Sequence, residues 1–349
     1  MIVSAELGFE LLERIGASEG RNSEVYRAFD PQLEAEVAVK RVRKAAFEDV
    51  ALYYGEARKL YDARHPNVVD VRVACQDEEY IYLAMPIYDG GSLHSIGRAA
   101  RLPNRDVIHF GLDMLQGLHH VHSRRLVHFD VKPSNVLVDV SGKAALSDFG
   151  LAKHLRPDGL AQVDQLYFLH WPPEYMIAQD LSQAADIYQA GLTLYRLLVG
   201  VESLERQSAG RSETEVRAAI QSGTFPDRSV FPLHVPGSLR RVVRTALLVD
   251  PGERYATVLD MIASLAAVNQ QLDWLYTTTR DQSDQVWEME TGGQLRRVHL
   301  RKSGKKWNLT STKTNVSTST TRRQNRLSGD EMTWGEARGR TIKALRELG

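Results

Sequence analysis

The stretch RRLVHFDVKPSNVLVD, residues 124–139, sets His128, Asp130, Lys132 and Asn135 within eight positions. Phosphoryl transfer asks a protein mainly to position groups and neutralise charge. It needs a carboxylate near the attacking hydroxyl, a cation on the transferring charge, and oxygen donors for a divalent ion. Asp130, Lys132 and Asn135 supply one of each from a single loop, and Asp148 in LSDFGLAK adds a second carboxylate beside a turn-forming glycine. Phe129 is the odd member, an aromatic between the histidine and the aspartate.

Outward from this loop the chain changes character twice. Before it, FELLERIG and SEVYRAFD flank a Gly/Ser/Asn-rich turn, and AEVAVKRVR alternates in the manner of a strand. Phe47 to Arg64 has helical periodicity, and VVDVRVACQD and EYIYLAMPIY read as two further strands. After the Asp89-Gly90-Gly91 turn the pattern is helical, through NRDVIHFGLDMLQGLHHVHSRR, QAADIYQAGLTLYRLLVG and GSLRRVVRTALLVD. Beyond Val268 short strand-like segments return, QVWEME, LRRVHLRK and KKWNLTSTK, with a closing helix expected over 330–348.

The 349 residues carry no net charge, yet residues 271–349 hold 15 basic and 9 acidic groups, so the first 270 are acidic. Residues 294–326 contain ten Lys/Arg and no Asp/Glu, with Trp307 interleaved. Such a run is either a solvated sheet face or a surface for nucleic acid, an acidic protein or anionic lipid. Cys75 is the single cysteine, which removes intramolecular disulfides and cysteine-based zinc sites and suits a reducing, cytoplasmic setting. The start lacks the pattern of a secretion signal, and the apolar run near 187–201 is broken by Gln189, Thr193 and Arg196, so no transmembrane segment is expected.

Each short string has a bland reading alone: Asp-Phe-Gly is usually a turn, VAVK a strand, His128 a packed core residue. The pattern H-x-D-x-K-P-x-x-N is far rarer by chance, and it stands in order with the others. Over residues 9–268 the chain resembles the eukaryotic-like Ser/Thr protein kinases. That resemblance implies an α+β, bilobal fold, with a β-rich N-lobe at 1–87 and a helical C-lobe at 88–268. The composition shift beyond Val268 marks a further small α+β domain at 269–349, basic, Ser/Thr-rich and of no assigned role. It implies ATP with Mg2+, or Mn2+, as cofactor, and a protein as substrate. Asp130 would accept the proton of the acceptor hydroxyl, Lys132 would neutralise transferring charge, and Asn135 and Asp148 would hold the metal. Lys40 of VAVK, paired with Glu56, would grip the phosphates. Gly16, Gly20, Val25, Ala38 and Leu137 would surround the nucleotide, with Met85 guarding the back pocket and Pro86 and Tyr88 offering backbone groups to adenine. Asp186 in ADIYQAG would prop the catalytic loop.

Two departures carry information. The positions expected to be glycine in the phosphate loop are Ser18, Gly20 and Ser23, and serine Cβ atoms restrict its conformations. Phe129 stands where most of the family has an arginine that pairs with a phosphate on the activation segment. Here residues 148–174 contain no serine or threonine, and Tyr167 is their only hydroxyl. An arginine at 129 would be a cation without a partner, whereas a phenylalanine can pack. The expectation is a kinase that autophosphorylates but is not switched by Ser/Thr phosphorylation of that segment, with Ser328 and the neighbouring Ser/Thr tract as targets. The alternative is an ATP-binding scaffold on a kinase fold.

Overall fold

The computed structural model describes residues 8–15, 23–46, 64–163 and 165–349. The chain divides into two compact units, residues 1–96 with 113–190, and residues 97–112 with 191–349. The helix expected over 47–64 lies, but for its last residue, outside the described residues, as do Gly16, Gly20 and Glu56.

The first unit opens with a five-stranded antiparallel sheet of β1 (Glu10–Ile15), β2 (Ser23–Asp30), β3 (Ala35–Arg43), β4 (Val73–Gln76) and β5 (Tyr80–Met85), in the order β1-β2-β3-β5-β4. Ala28, Val37, Val39 and Ala84 form one buried patch on it. The period-2 alternation places Lys40 between Val39 and Arg41, opposite Val25 on β2 and Leu83 on β5. The strand expected over 68–77 is shorter than its apolar pattern suggests. Val68 makes only an isolated parallel bridge to Leu146, and pairing with β5 begins at Val73.

Short strands then frame the loops: β6 (Gly91–Ser92), β7 (Leu126–Val127), β8 (Val136–Val138), β9 (Ala144–Leu146), β10 (Lys153–His154), β11 (Ala161–Gln162) and β12 (Asp180–Leu181). Helix α1 (Leu93–Ala99) is followed by α2 (Asn104–Ser123), which buries Met114, Leu118 and Val121 at helical spacing. Gly117 is required there, because a Cβ would meet the Asn67 carbonyl at 2.2 Å. That carbonyl is committed to the amide of Leu146 at 2.9 Å, and the Asn67 side chain donates to the Ala144 carbonyl. Helix α3 (Ala184–Val199) is buried along most of its length, including Gln189, Thr193 and Arg196. Among the described residues no helix is long and apolar enough to cross a membrane.

The second unit contains α4 (Ser203–Ser208), α5 (Glu213–Gln221), α6 (Gly237–Ala246) and α7 (Val258–Ala266). It ends in an antiparallel sheet of β13 (Leu275–Thr278), β14 (Asp284–Thr291), β15 (Gln294–Ser303), β16 (Lys306–Asn315), β17 (Thr321–Arg323) and β18 (Gly329–Met332), backed by α8 (Trp334–Leu348). The closing helix starts later than expected. Residues 329–332 pair with β16, and Thr333 caps the helix in a capping box with Glu336. Trp274, Trp287, Val298, Leu300, Leu309 and Leu345 make the core of this sheet, and Leu233 belongs to the same core. Trp287 Nε1 donates to His234 Nδ1 at 3.0 Å, and Asn104 donates to the carbonyls of His234 and Gln271. Arg105 pairs with Asp273.

Candidate active site

The loop from His128 to Asn135 is held from beneath by α3. Asp186, wholly buried, accepts from the amides of His128 at 2.8 Å and Phe129 at 2.7 Å, and it meets His122 Nε2 at 2.8 Å. One turn later Gln189 accepts from the Val131 amide at 3.0 Å and donates to the Phe129 carbonyl at 2.9 Å. Two adjacent residues of the loop can thus point their amides the same way, an arrangement accompanied by a left-handed backbone at Phe129, φ +65°. Asp186 is legible in the sequence. Gln189 has no role assigned to it there, although its place three residues along the same helix face is the available signal.

His128 is fully buried, and its ring links two parts of the site. Nδ1 accepts from the Asp130 amide at 3.2 Å, which leaves Nε2 to donate to the Ser147 carbonyl at 3.1 Å. Burial pushes its pKa down, so the ring is neutral with its proton on Nε2. It packs edge-on against Phe149, at 4.6 Å between centroids. His128 therefore packs and orients, and it fixes the backbone of the carboxylate two residues on.

The Asp130 carboxylate is asymmetric. Oδ2 accepts from Lys132 Nζ at 2.8 Å and from Asn135 Nδ2 at 2.7 Å, while Asn135 Nδ2 also reaches the Asp130 carbonyl at 2.9 Å. Oδ1 is buried and has no hydrogen-bond partner among the described residues. The Asn135 amide nitrogen is used on Asp130, and among the described residues its oxygen meets only Ser134 Oγ, at 3.5 Å.

Asp148 meets Lys40 Nζ at 3.1 Å, and the Lys40 ammonium holds the Asp148 carboxyl below the ordinary carboxylate range. Asp148 also has a left-handed backbone, φ +61°, beside the buried Phe149. Lys40, Asp130, Lys132, Asn135 and Asp148 thus share one compact unit. The Lys40–Glu56 pair falls outside the described residues.

Of the residues expected to surround a nucleotide, Ala38 and Met85 are buried and pair across β3 and β5. Val25 and Leu137 are half-buried, on β2 and β8. Pro86 and Tyr88 follow β5; the Tyr88 carbonyl accepts from the Gly91 amide at 2.9 Å, and burial pushes its phenol up to about 12.

Phe129 is fully buried in a cluster with Val127, Ala161, Val163, Leu166, Leu181 and Ala185. Three of these, Ala161, Val163 and Leu166, belong to the segment that carries no serine or threonine. Tyr167 is partly exposed, and Lys132 Nζ lies 5.4 Å from its ring centre.

The basic run is dispersed by the sheet. Arg297 pairs with Glu288, Arg301 and His299 with Asp284, Arg323 with Asp330, and Arg326 with Glu347. Arg296 donates to the Leu348 carbonyl at the end of α8. Ser328 is a correction to the sequence reading. It is 4% exposed, its hydroxyl accepts from the Ser311 amide and donates to the Gln324 carbonyl, and so it is not available to a kinase in the folded chain.

A two-part site of this kind, with a lysine on a strand, an aspartate two residues before a glycine, and a propped loop carrying Asp, Lys and Asn, defines a phosphoryl-transfer protein of the kinase class. The family model for the protein kinase domain matches residues 9–265, and the chain belongs to that family. It is similar to the probable serine/threonine-protein kinase PknB of Lactococcus lactis, 29% identical over 74% of this chain and 41% of the relative. It is likewise similar to serine/threonine-protein kinase PknD of Chlamydia caviae, 28% identical over 74% of this chain and 30% of the relative. PrkC of Bacillus subtilis, also a serine/threonine-protein kinase, is 27% identical over 74% and 40%. The chain thus spans less than half the length of these relatives.

Proposed function

We propose that the chain transfers the γ-phosphoryl group of ATP to serine and threonine hydroxyls of proteins, itself included. The observation that carries this is the Asp130 carboxylate, with one oxygen anchored by Lys132 and Asn135 and the other buried and unpartnered among the described residues. A buried acceptor without a donor is costly, and an incoming hydroxyl is the donor that would satisfy it. Asp130 Oδ1 then orients the hydroxyl and takes its proton, while Lys132 stands by to offset charge on the transferring group.

The donor set fits a hard divalent ion. Asp148 contributes a carboxylate and Asn135 an amide oxygen, a sparse set suited to Mg2+, or Mn2+, whose other positions are filled by phosphates and water. Held by Asp148 and Asn135, such an ion would supply positive charge to offset that of the phosphates. Lys40, now on Asp148, has a phosphate as its alternative partner. Similarity to serine/threonine-protein kinases and the presence of Lys132 favour Ser/Thr acceptors. A single half-buried cysteine, Cys75, accords with a reducing, cytoplasmic setting. The pairing of Arg297, Arg301, Arg323 and Arg326 with acidic neighbours leaves a nucleic-acid or acidic partner at 294–326 with little support.

Phe129 bears on control. Its apolar seat against Val163 and Leu166 takes the place of an arginine–phosphate clamp, so activity does not await Ser/Thr phosphorylation of residues 149–173. Phe129→Arg buries an unpaired cation and should destabilise the fold by roughly 3–5 kcal/mol in urea melts. An unchanged melt would show that the seat tolerates charge.

The direct test is a time course of the purified chain with Mg2+ and γ-labelled ATP, beside Asp148→Asn. Label in the wild type alone supports the kinase. No label in either, with ATP still bound, replaces it with a nucleotide-dependent scaffold.

A further inference from the structure

The second unit contains a charge arrangement that the kinase site does not explain. Register sets Arg296 on β15 opposite Lys313 on β16, and Lys313 opposite Arg322 on β17, giving three cations in one row across the sheet. Like charges directly opposite one another destabilise a strand pair. Arg296 is engaged with the Leu348 carbonyl at the negative end of α8. Among the described residues Lys313 and Arg322 have no acidic partner, although the basic residues on the neighbouring register, Arg297 and Arg323, each have one.

The turn that joins β16 to β17 is Val316–Thr320, and all five of its residues are exposed. Ser317, Thr318, Ser319 and Thr320 are four consecutive hydroxyls. Thr321 faces Thr314 across the pair at 2.9 Å, and the Asn315 amide donates to the Thr320 carbonyl at 3.0 Å. The pairing thus runs one residue past β17 and sets Thr320 two residues from Arg322 and diagonal to Lys313. Among the described residues its exposed hydroxyl meets only its turn neighbour, accepting from Thr318 Oγ1 at 3.1 Å and donating to the Thr318 carbonyl at 3.4 Å. Residues 148–174, part of which packs against Phe129, have by contrast no serine or threonine to modify.

We propose that this hairpin tip is the chain's own phosphorylation site, with Thr320 the acceptor whose phosphate the Lys313–Arg322 pair receives. The inference rests on the kinase reading. The Thr320 hydroxyl oxygen forms a bond to the γ-phosphorus as the bond from that phosphorus to the β-bridging oxygen breaks; the hydroxyl proton passes to Asp130 and ADP leaves. The dianion then lies beside two cations that repel each other, where it accepts charge-assisted hydrogen bonds and relieves the repulsion.

The test uses the full chain with Mg2+ and γ-labelled ATP, followed by site mapping, with dephosphorylated casein as a parallel acceptor. Label is expected on the tip, chiefly at Thr320. Combined Ser317→Ala, Thr318→Ala, Ser319→Ala and Thr320→Ala should remove most of the self-label while casein is labelled at the wild-type rate. In Lys313→Gln with Arg322→Gln the tip phosphate should be removed several-fold faster by an added phosphatase. Labelled casein with an unmodified tip overturns the site and spares the kinase. Equal phosphatase rates overturn the role of the cation pair. Absence of label on both casein and the chain overturns the kinase reading, and this inference with it.

Discussion

Residues 128–135 and residues 296–326 both concentrate polar and charged groups, and they end in opposite conditions. In the first, nearly every group is buried and committed: Asp186 and Gln189 take the backbone, His128 ties Asp130 to Ser147, and Asp130 Oδ1 is left open. In the second, ten cations are spread over a sheet, mostly exposed, and several are matched singly with acidic neighbours. Composition describes both as polar. The difference is desolvation: a polar group out of water must be satisfied, so its partners are specified, whereas an exposed charge is screened and can take any neighbour.

The strongest way to break this comparison is to alter the open oxygen. Asp130→Asn keeps the volume and removes the proposed proton acceptor, so kcat should fall about 10^2–10^4-fold. ATP affinity should change little. Steady-state kinetics with a separate ATP-binding titration checks both. A kcat within a few-fold of wild type would mean that Asp130 does no proton transfer.

The support beneath the loop comes next. Asp186→Ala leaves the amides of His128 and Phe129 buried without their acceptor, at roughly 1–3 kcal/mol for each orphaned donor. Urea unfolding should show the loss, with activity falling in the surviving folded protein because the loop's left-handed turn at Phe129 is no longer tied down. Asp186→Asn retains one acceptor oxygen and should sit between the two. Equal stability of all three would show that water replaces the carboxylate.

Legibility in the sequence follows the same division. The loop at 128–135 stands out in the sequence because buried, committed groups tolerate few residue types at each position, and Asp130, Lys132, Asn135 and Asp148 come together in one unit. Gln189 escapes because glutamine on a buried helix has many uses, and its value here depends on which backbone groups lie above it. Ser328 misleads because three arginines near a serine suggest exposure, whereas its burial depends on pairing between β16 and β18, remote in sequence. The strand at 329–332 hides within the expected helix for the same reason. Local propensity identifies α8, but only the partner strand decides where the helix begins.

The buried side of the second unit offers an intermediate case. His234 is 3% exposed and accepts from Trp287 Nε1 on Nδ1, with Tyr276 beside it at 5.2 Å between centroids. Burial, and the nearby Arg101 and Arg240, push its pKa down to about 3 from 6.5. The unfolded chain therefore binds the additional proton between those values. Its contribution is fully present above pH 6.5 and fades as pH falls towards 3, a loss of about 3 kcal/mol by roughly pH 4. Urea midpoints measured from neutral to acid pH should fall accordingly. His234→Gln keeps an acceptor for Trp287 and should flatten that part of the slope; an unaltered slope would assign the acid sensitivity to other groups.

The smallest effect is expected at the exposed cations, where the comparison can be sharpened. Glu288 and Arg297 stand directly opposite each other on β14 and β15, with their charged groups 2.7 Å apart and in contact with solvent. Solvent screens the pair and two long side chains lose freedom in forming it, so its coupling should be below about 1 kcal/mol. A double-mutant cycle through Glu288→Gln and Arg297→Gln measures that coupling, which should shrink further in high salt. A coupling as large as the Asp186 effect, and insensitive to salt, would mean that the sheet's charges are as firmly committed as those of the loop. The run of cations would then be part of a built site and not a solvated face.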